Sequence, residues 1–388
     1  MQQPLWIVTK PFAGFSSGEL ASLAAQHLRR AFKTSKVYQY PLVSGERGTM
    51  EQLVTATLGS FLEVEATSAS GEQLIVPIGF AGDNGSVGVI ELMQIAERPA
   101  EKKRPSKSKE FDHWGSTVGV GELIRDVLDE GSHSVLLGWE EPIARDAGFG
   151  MAQALGVKFL DKNGKELDFK SSTPFREVAS IDLSGRPFDV LSASFFLMRS
   201  EKVPQAKRSQ QVSVEDLVYE QELQRISEIV KRDLGITIPP IDIDYSGSCF
   251  EFGATLFLGA KIESGGELSL TLTGLEGKLA ADGGTVCFFV EQLEDAASDK
   301  APQTSKQVLQ WCVQYNIPVT IIANQSFKPA TETRYKKKYP VIESVYSLAD
   351  VPLFFEPLPP DAPASEQRRY LSARLEKLVT RIKETALV

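Results

Sequence analysis

Asp146-Ala147-Gly148-Phe149-Gly150 is the stretch of this chain that most resembles chemical machinery. It opens a helix-like segment soon after an apolar, strand-sized run at residues 134–138. Glycines at a strand-to-helix turn let backbone N–H groups approach a phosphate. A plainer reading stands beside it: Asp146 as a first-turn anion favoured by the helix dipole. The rest of the inventory is sparse. His27 falls on the apolar stripe of a helix, His133 in a turn and His113 in a loop, and none is expected to be catalytic. No GxSxG, HExxH or GxxxxGK[ST] occurs, so neither a hydrolase elbow, a zincin site nor a P-loop is expected. Cys249, Cys287 and Cys312 are odd in number, far apart and in no CxxC pair, so no disulfide framework and no metal site are expected.

The elements that would carry such a site alternate. Residues 5–8 read as a buried strand, and 17–32 as an amphipathic helix with Ser17 as its cap. Residues 37–40 read as a second strand, and 50–58 as a second helix capped by Thr49. Strand, helix, strand, helix predicts a parallel sheet. Three strands then follow closely at 61–66, 73–78 and 86–92, split by turns such as Asp83-Asn84-Gly85, and predict a partly antiparallel unit. Helices are predicted over 121–129, 145–155, 214–234, 304–315 and 365–385, with strands at 134–138, 285–290 and 318–323. Residues 97–110 are basic, polar and proline-punctuated, and read as a solvated loop. Because the end returns to the pattern of the start, the expectation is an α/β protein with a doubly wound parallel-sheet domain and a second α/β domain inserted. The first would comprise residues 1–60 and 281–388, and the inserted domain 61–280.

The 388 residues suffice for two domains; 42% are hydrophobic and 24% charged. A net charge of −9 with no basic face argues against nucleic acid as a partner. No apolar run approaches the ~20 residues of a membrane span, so no membrane partner is expected. No signal peptide is read at the N-terminus, and the cysteine usage suits a reducing cytoplasm.

Linked in order, several segments resemble one family. Gly119-Val120-Gly121-Glu122-Leu123-Ile124-Arg125 and the run from Asp146 through Gly156 to Asp161 are similar to the GTGELIR and GGSATNDGGAGMAQALGxxFLD blocks of the type I glycerate 2-kinases. Residues 41–49 resemble that family's PxADGGEGT and residues 11–17 its DSFKGSLS. Glu291, Asp295 and Lys300 fall where it has GEGRID and GKAP. The resemblance implies the two-domain glycerate-kinase-like fold and ATP-dependent phosphorylation of glycerate, with ATP and Mg²⁺ engaged if the protein is active. It implies Asp146 and Asp295 as catalytic candidates, and Gly45, Gly48, Thr49, Gly148, Glu291 and Lys300 as contacts to substrate or nucleotide.

The chain also departs from the pattern. Lys10 and Ala13 replace the charged residues of DSFK, Ser44 the aspartate and Arg47 the glutamate of ADGGEGT. Glu140, Glu141, Pro142 and Arg145 replace two glycines, the serine and the asparagine of GGSATND, and the ACDVxNPL segment has become apolar around Ala193, Phe195, Phe196 and Leu197. Phosphoryl transfer is mostly positioning and electrostatics. These losses therefore predict that kinase activity is weak or lost. The alternative is an inactive pseudokinase that binds a small-molecule ligand or a protein partner, and a homodimer is compatible with either.

Overall fold

The computed structural model describes residues 3–12, 14–96, 115–140, 144–170, 174–200, 214–237, 250–353 and 362–386. The strands are β1 (Leu5–Thr9), β2 (Val37–Pro41), β3 (Ser60–Thr67), β4 (Gln73–Ala81), β5 (Val87–Glu91), β6 (Ser134–Trp139), β7 (Lys158–Leu160), β8 (Ser180–Asp182), β9 (Ser194–Arg199), β10 (Lys261–Ser264), β11 (Thr285–Val290), β12 (Val319–Ala323) and β13 (Ile342–Ser347). The helices are α1 (Ser17–Ala31), α2 (Thr49–Ala56), α3 (Val118–Asp129), α4 (Phe149–Ala154), α5 (Phe188–Ser192), α6 (Val214–Leu234), α7 (Phe250–Leu258), α8 (Gly265–Thr273), α9 (Leu275–Asp282), α10 (Leu293–Ala297), α11 (Gln303–Gln314), α12 (Pro329–Lys338) and α13 (Ala364–Ala386).

Two units result. The first comprises Met1–Val43 and Gly266–Val388, the second Ser44–Gly265. The unit boundaries therefore fall at 43/44 and 265/266, where the sequence suggested 60/61 and 280/281. The physical reason is where two helical segments bury their apolar faces. α2 packs on β4 and β5 of the second unit, while Leu270, Leu275 and Leu279 of α8 and α9 enter the core of the first.

In the first unit five parallel strands lie in the order β13-β12-β11-β1-β2. Successive side chains point to opposite faces of a strand. Trp6, Val8, Phe288 and Ile321 thus enter one core and Ile7, Phe289 and Ile322 the other. Leu20 and Leu28 of α1 and Leu371, Leu375 and Leu378 of α13 cover the second face. The cap of α1 is Ser16, not Ser17: the Ser16 hydroxyl accepts the Glu19 amide while the Glu19 carboxylate accepts the Ser16 amide. Ser17 instead donates its hydroxyl to the Leu42 carbonyl at 2.8 Å.

The second unit holds a six-stranded sheet in the order β10-β9-β6-β5-β4-β3. Strands β5, β6, β9 and β10 run parallel, and β4 and β3 continue antiparallel from β5. A second core, built on Phe149, Phe159, Phe169, Phe175 and Phe257, lies between α4, α6, α7 and the β7–β8 pair. The apolar run at Phe195–Leu197 is here β9, an interior strand with Phe195 and Leu197 buried. Its apolar character is that of a core strand: Phe195 and Leu197 enter the core of the second unit, while Phe196, on the other face, is half-buried with the Lys261 ammonium 5.9 Å from its ring.

Candidate functional site

In open parallel sheets ligands bind beyond the carboxyl ends of the strands. In the second unit those ends are Glu91 on β5, Trp139 on β6, Arg199 on β9 and Ser264 on β10. Residues 44–49 lie directly over them. A Cβ on Gly45 would stand 2.5 Å from the Met198 carbonyl oxygen and 3.2 Å from the Trp139 nitrogen, and Gly45 has φ 111°. Only glycine tolerates both the close approach and that backbone conformation.

The loop closes on itself. Glu46 is only 6% exposed, and its Oε2 accepts the Ser44 amide at 2.9 Å, the Ser44 hydroxyl at 2.7 Å and the Ser200 hydroxyl at 3.4 Å. The Gly45 amide donates to Thr49 Oγ1 at 3.0 Å, and the Thr49 amide to the Glu46 carbonyl at 3.1 Å. Gly48 is the N-cap of α2, in the left-handed region and with no side-chain cap of its own. Its amide and that of Met50 donate instead to Glu91 across the fold, Met50 at 2.9 Å. The amides of residues 44, 45, 48, 49 and 50 are thus all committed within the protein. Thr49, expected as the cap of α2, is its first residue and serves the loop through its hydroxyl.

Glu91 is buried, and burial pushes its carboxyl up to about 7; the Met50 and Gly48 amides and the charge of Arg47 pull it down, while Glu46 adds to the rise. Neither Glu46 nor Glu91 was singled out from the sequence. Glu46 stands at the second glycine of the resembling ADGGEGT pattern, and Glu91 ends an apolar strand. A carboxylate at the carboxyl end of a parallel strand was the signal available for Glu91.

Asp146 sits elsewhere in the same unit and is fully buried. Its Oδ2 accepts the Thr117 amide at 2.7 Å, the Thr117 hydroxyl at 2.8 Å and the Gly150 amide at 2.9 Å, and its Oδ1 the Gly148 amide at 3.1 Å. Burial raises this carboxyl and the four hydrogen bonds oppose the rise. The carboxylate ties the start of α3 to the turn before α4, where Ala147 is held at φ 51° and Gly148 at φ 80°. A non-glycine residue pays roughly 1–2 kcal/mol in that region. As placed here, Asp146 organises a turn and presents no oxygen to solvent, which departs from its expected place as a catalytic group. Arg145, beside it, lies over the Tyr219 ring at 5.0 Å. Ala13, His113, Glu141, Pro142, Cys249 and residues 97–110 fall outside the described residues.

The remaining candidates belong to the first unit. Glu291, just after β11, accepts the Asn324 side-chain amide at 3.0 Å and that of Gln325 at 2.9 Å. Asp295 accepts the Gln292 amide at 2.9 Å in the capping box of α10, and Lys300 is exposed. At the end of β1, Lys10 donates to the Thr304 hydroxyl at 3.2 Å, joining that strand end to the first turn of α11. Gly45, Gly48, Thr49, Asp146 and Gly148 are thus in the second unit and Glu291, Asp295 and Lys300 in the first.

Comparison with known proteins gives these geometries a lineage. Residues 8–199 match the model of the glycerate kinase family. The chain is 28% identical to a glycerate 2-kinase of Escherichia coli K12 over 279 residues, covering 67% of this chain and 70% of the other. It is 25% identical to a glycerate kinase of Halalkalibacterium halodurans over 338 residues, covering 82% and 85%. A crystal structure of a protein assigned as glycerate kinase 2 from Salmonella typhimurium LT2 superposes with a TM-score of 0.75 at 20% identity, covering 100% of this chain and 98% of that one, which establishes the shared fold. With its collinear motifs, its two α/β units and these relatives, the chain belongs to the glycerate kinase family.

Proposed function

We propose that this protein keeps the glycerate kinase scaffold while its ATP-dependent phosphorylation of glycerate is weak or lost. The observation that supports this reading is the closed loop at residues 44–50. A phosphate cradle offers backbone amides to an anion, whereas here the amides of residues 44, 45, 48, 49 and 50 donate to Glu46, Thr49 and Glu91. Two buried carboxylates line the same loop. A phosphate charge about 4 Å from an ionised carboxylate is repelled by roughly 4 kcal/mol at an effective dielectric of 20, and every 1.4 kcal/mol is about tenfold in rate.

The three buried carboxyl groups described in the second unit do not fit a protein-held Mg²⁺ either. That ion takes near-octahedral oxygen ligands, with one or two carboxylates beside substrate phosphates. Glu46, Glu91 and Asp146 are buried and already accept hydrogen bonds from protein donors. Their bonded oxygens are turned to the fold, and among the described residues no group of three or more His, Cys, Asp or Glu side chains could hold a metal ion. In this reading Gly45, Gly48, Thr49 and Gly148 are shape-determining, Asp146 holds its turn together, and Glu291, Asp295 and Lys300 are what remains of the contacts to substrate or nucleotide. A coupled assay of ADP release with Mg-ATP and D-glycerate tests it: turnover should lie far below the ~1–100 per second typical of kinases. Turnover near one per second that disappears in a folded Lys300→Ala variant would overturn the reading.

A second reading, an inactive protein that binds a partner, draws support from Phe188 and Leu191 on α5, 78% and 57% exposed.

A further inference from the structure

We infer that Glu91 is a positioning residue for the loop at residues 44–49: from the end of β5 its carboxyl group caps α2 and so sets where the loop lies over the strand ends. The first N–H groups of a helix have no partner within the helix. In α2 the N-cap is Gly48, which has no side chain to offer. Glu91, 41 residues further along the chain, accepts the Met50 amide at 2.9 Å and bonds the Gly48 amide as well. It therefore fixes both ends of the short link between the loop and the helix. With Glu46 holding Ser44, and Thr49 holding Gly45, the loop is anchored at its entry and its exit.

This anchor is sensitive to protons. The charged side chains that bear on Glu91 are Arg47 and Glu46, both on the loop. Strands β4 and β6 beside it carry no charged residue. The one charged residue of α2 is Glu51, which is exposed, and Glu122 of α3 is committed to Thr67. Glu91 is thus a buried acid with only partial compensation, and burial raises it from an ordinary carboxylate value to about 7. Opening the loop returns it to water and to its ordinary range. The closed loop is consequently most stable while Glu91 is protonated. Its stability falls as pH rises towards about 7 and levels off above.

The inference rests on the reading above only in taking this loop as the anion-facing one. Its test uses amide hydrogen exchange of the full chain without ligand, comparing residues 44–54 with α3 as an internal reference. After correction for intrinsic exchange, opening at Gly48 and Met50 should increase about tenfold or more between pH 5 and 7 and then stay level. Glu91→Gln, which can still accept an amide proton but does not titrate, should keep the protection and lose the slope. Glu91→Ala should exchange faster at every pH, by about tenfold for a lost cap. A flat wild-type profile, or a slope that persists in Glu91→Gln, would overturn the inference, as would wild-type protection in Glu91→Ala. Should Glu91→Ala not fold, the Glu91→Gln comparison still decides. Since no turnover is measured, a kinase assay that goes against the proposed function leaves this result standing, and failure here leaves that assay untouched.

Discussion

The strand ends of the two units use their carboxylates differently. In the second unit Glu46, Glu91 and Asp146 are 6%, 6% and 0% exposed and turn inward onto backbone amides and hydroxyls. In the first, Glu291 and Asp295 are half-buried, and they accept from two side-chain amides and from a five-residue helix cap. A buried carboxylate that satisfies several donors becomes part of the fold, because removing it strands every donor in a dry interior. One at the surface can be lost to water with little consequence for stability, and so stays available for a ligand.

The largest expected effect is at Asp146. Asp146→Ala leaves four donors without an acceptor and should cost about 3–5 kcal/mol, read as a lower urea midpoint. Asp295→Ala should cost about 1 kcal/mol, the value of a cap. Equal losses for the two would break the contrast. Next is the pH dependence from Glu91. Its folded value of about 7 lies above its unfolded 4.5, so the stability it contributes is full below 4.5, declines as pH rises and is gone above about 7. The change amounts to about 3 kcal/mol at most. Urea denaturation at pH 5 and pH 8 should show that decline in wild type and a smaller one in Glu91→Gln; identical declines would remove Glu91 from the account.

Glycines give a third contrast. Gly45→Ala forces a Cβ to 2.5 Å from a carbonyl oxygen at φ 111° and should cost about 1–3 kcal/mol. Gly277→Ala in α9 of the first unit meets nothing within 4 Å. It should leave stability unchanged or raise it by about 0.5–1 kcal/mol, and a destabilised Gly277→Ala would contradict that. The smallest effect is at the exposed Lys300, where Lys300→Ala should shift thermal stability by no more than ~0.5 kcal/mol; a larger loss would mean that this side chain supports the fold.

How much of this was legible varied with the range of the interactions. The alternation around residues 5–58 foretold β1, α1, β2 and α2, because local periodicity carries that signal. The segments β9, β10, α8, α9, α12 and β13 were not read, since short apolar runs and mixed polar helices look alike until neighbours choose their faces. The choice between Ser16 and Ser17 as a cap was legible in the spacing: Ser16 stands three residues before Glu19, as a capping box requires, whereas Ser17 is followed at that distance by Leu20.

Residue order along the chain was enough to set the family, through the succession of its motifs, and the α/β class, through alternating strand and helix patterns. Both are properties of residues near one another in the chain. The fate of the charges was settled by the tertiary arrangement. Glu46 and Glu91 are 45 positions apart, yet they converge on one loop of six residues, and Asp146 reaches Thr117 across 29 positions. Whether a carboxylate serves as a ligand contact or as part of the scaffold depends on which donors it meets and how much water remains beside it. Neither is written in the spacing of residues along a chain.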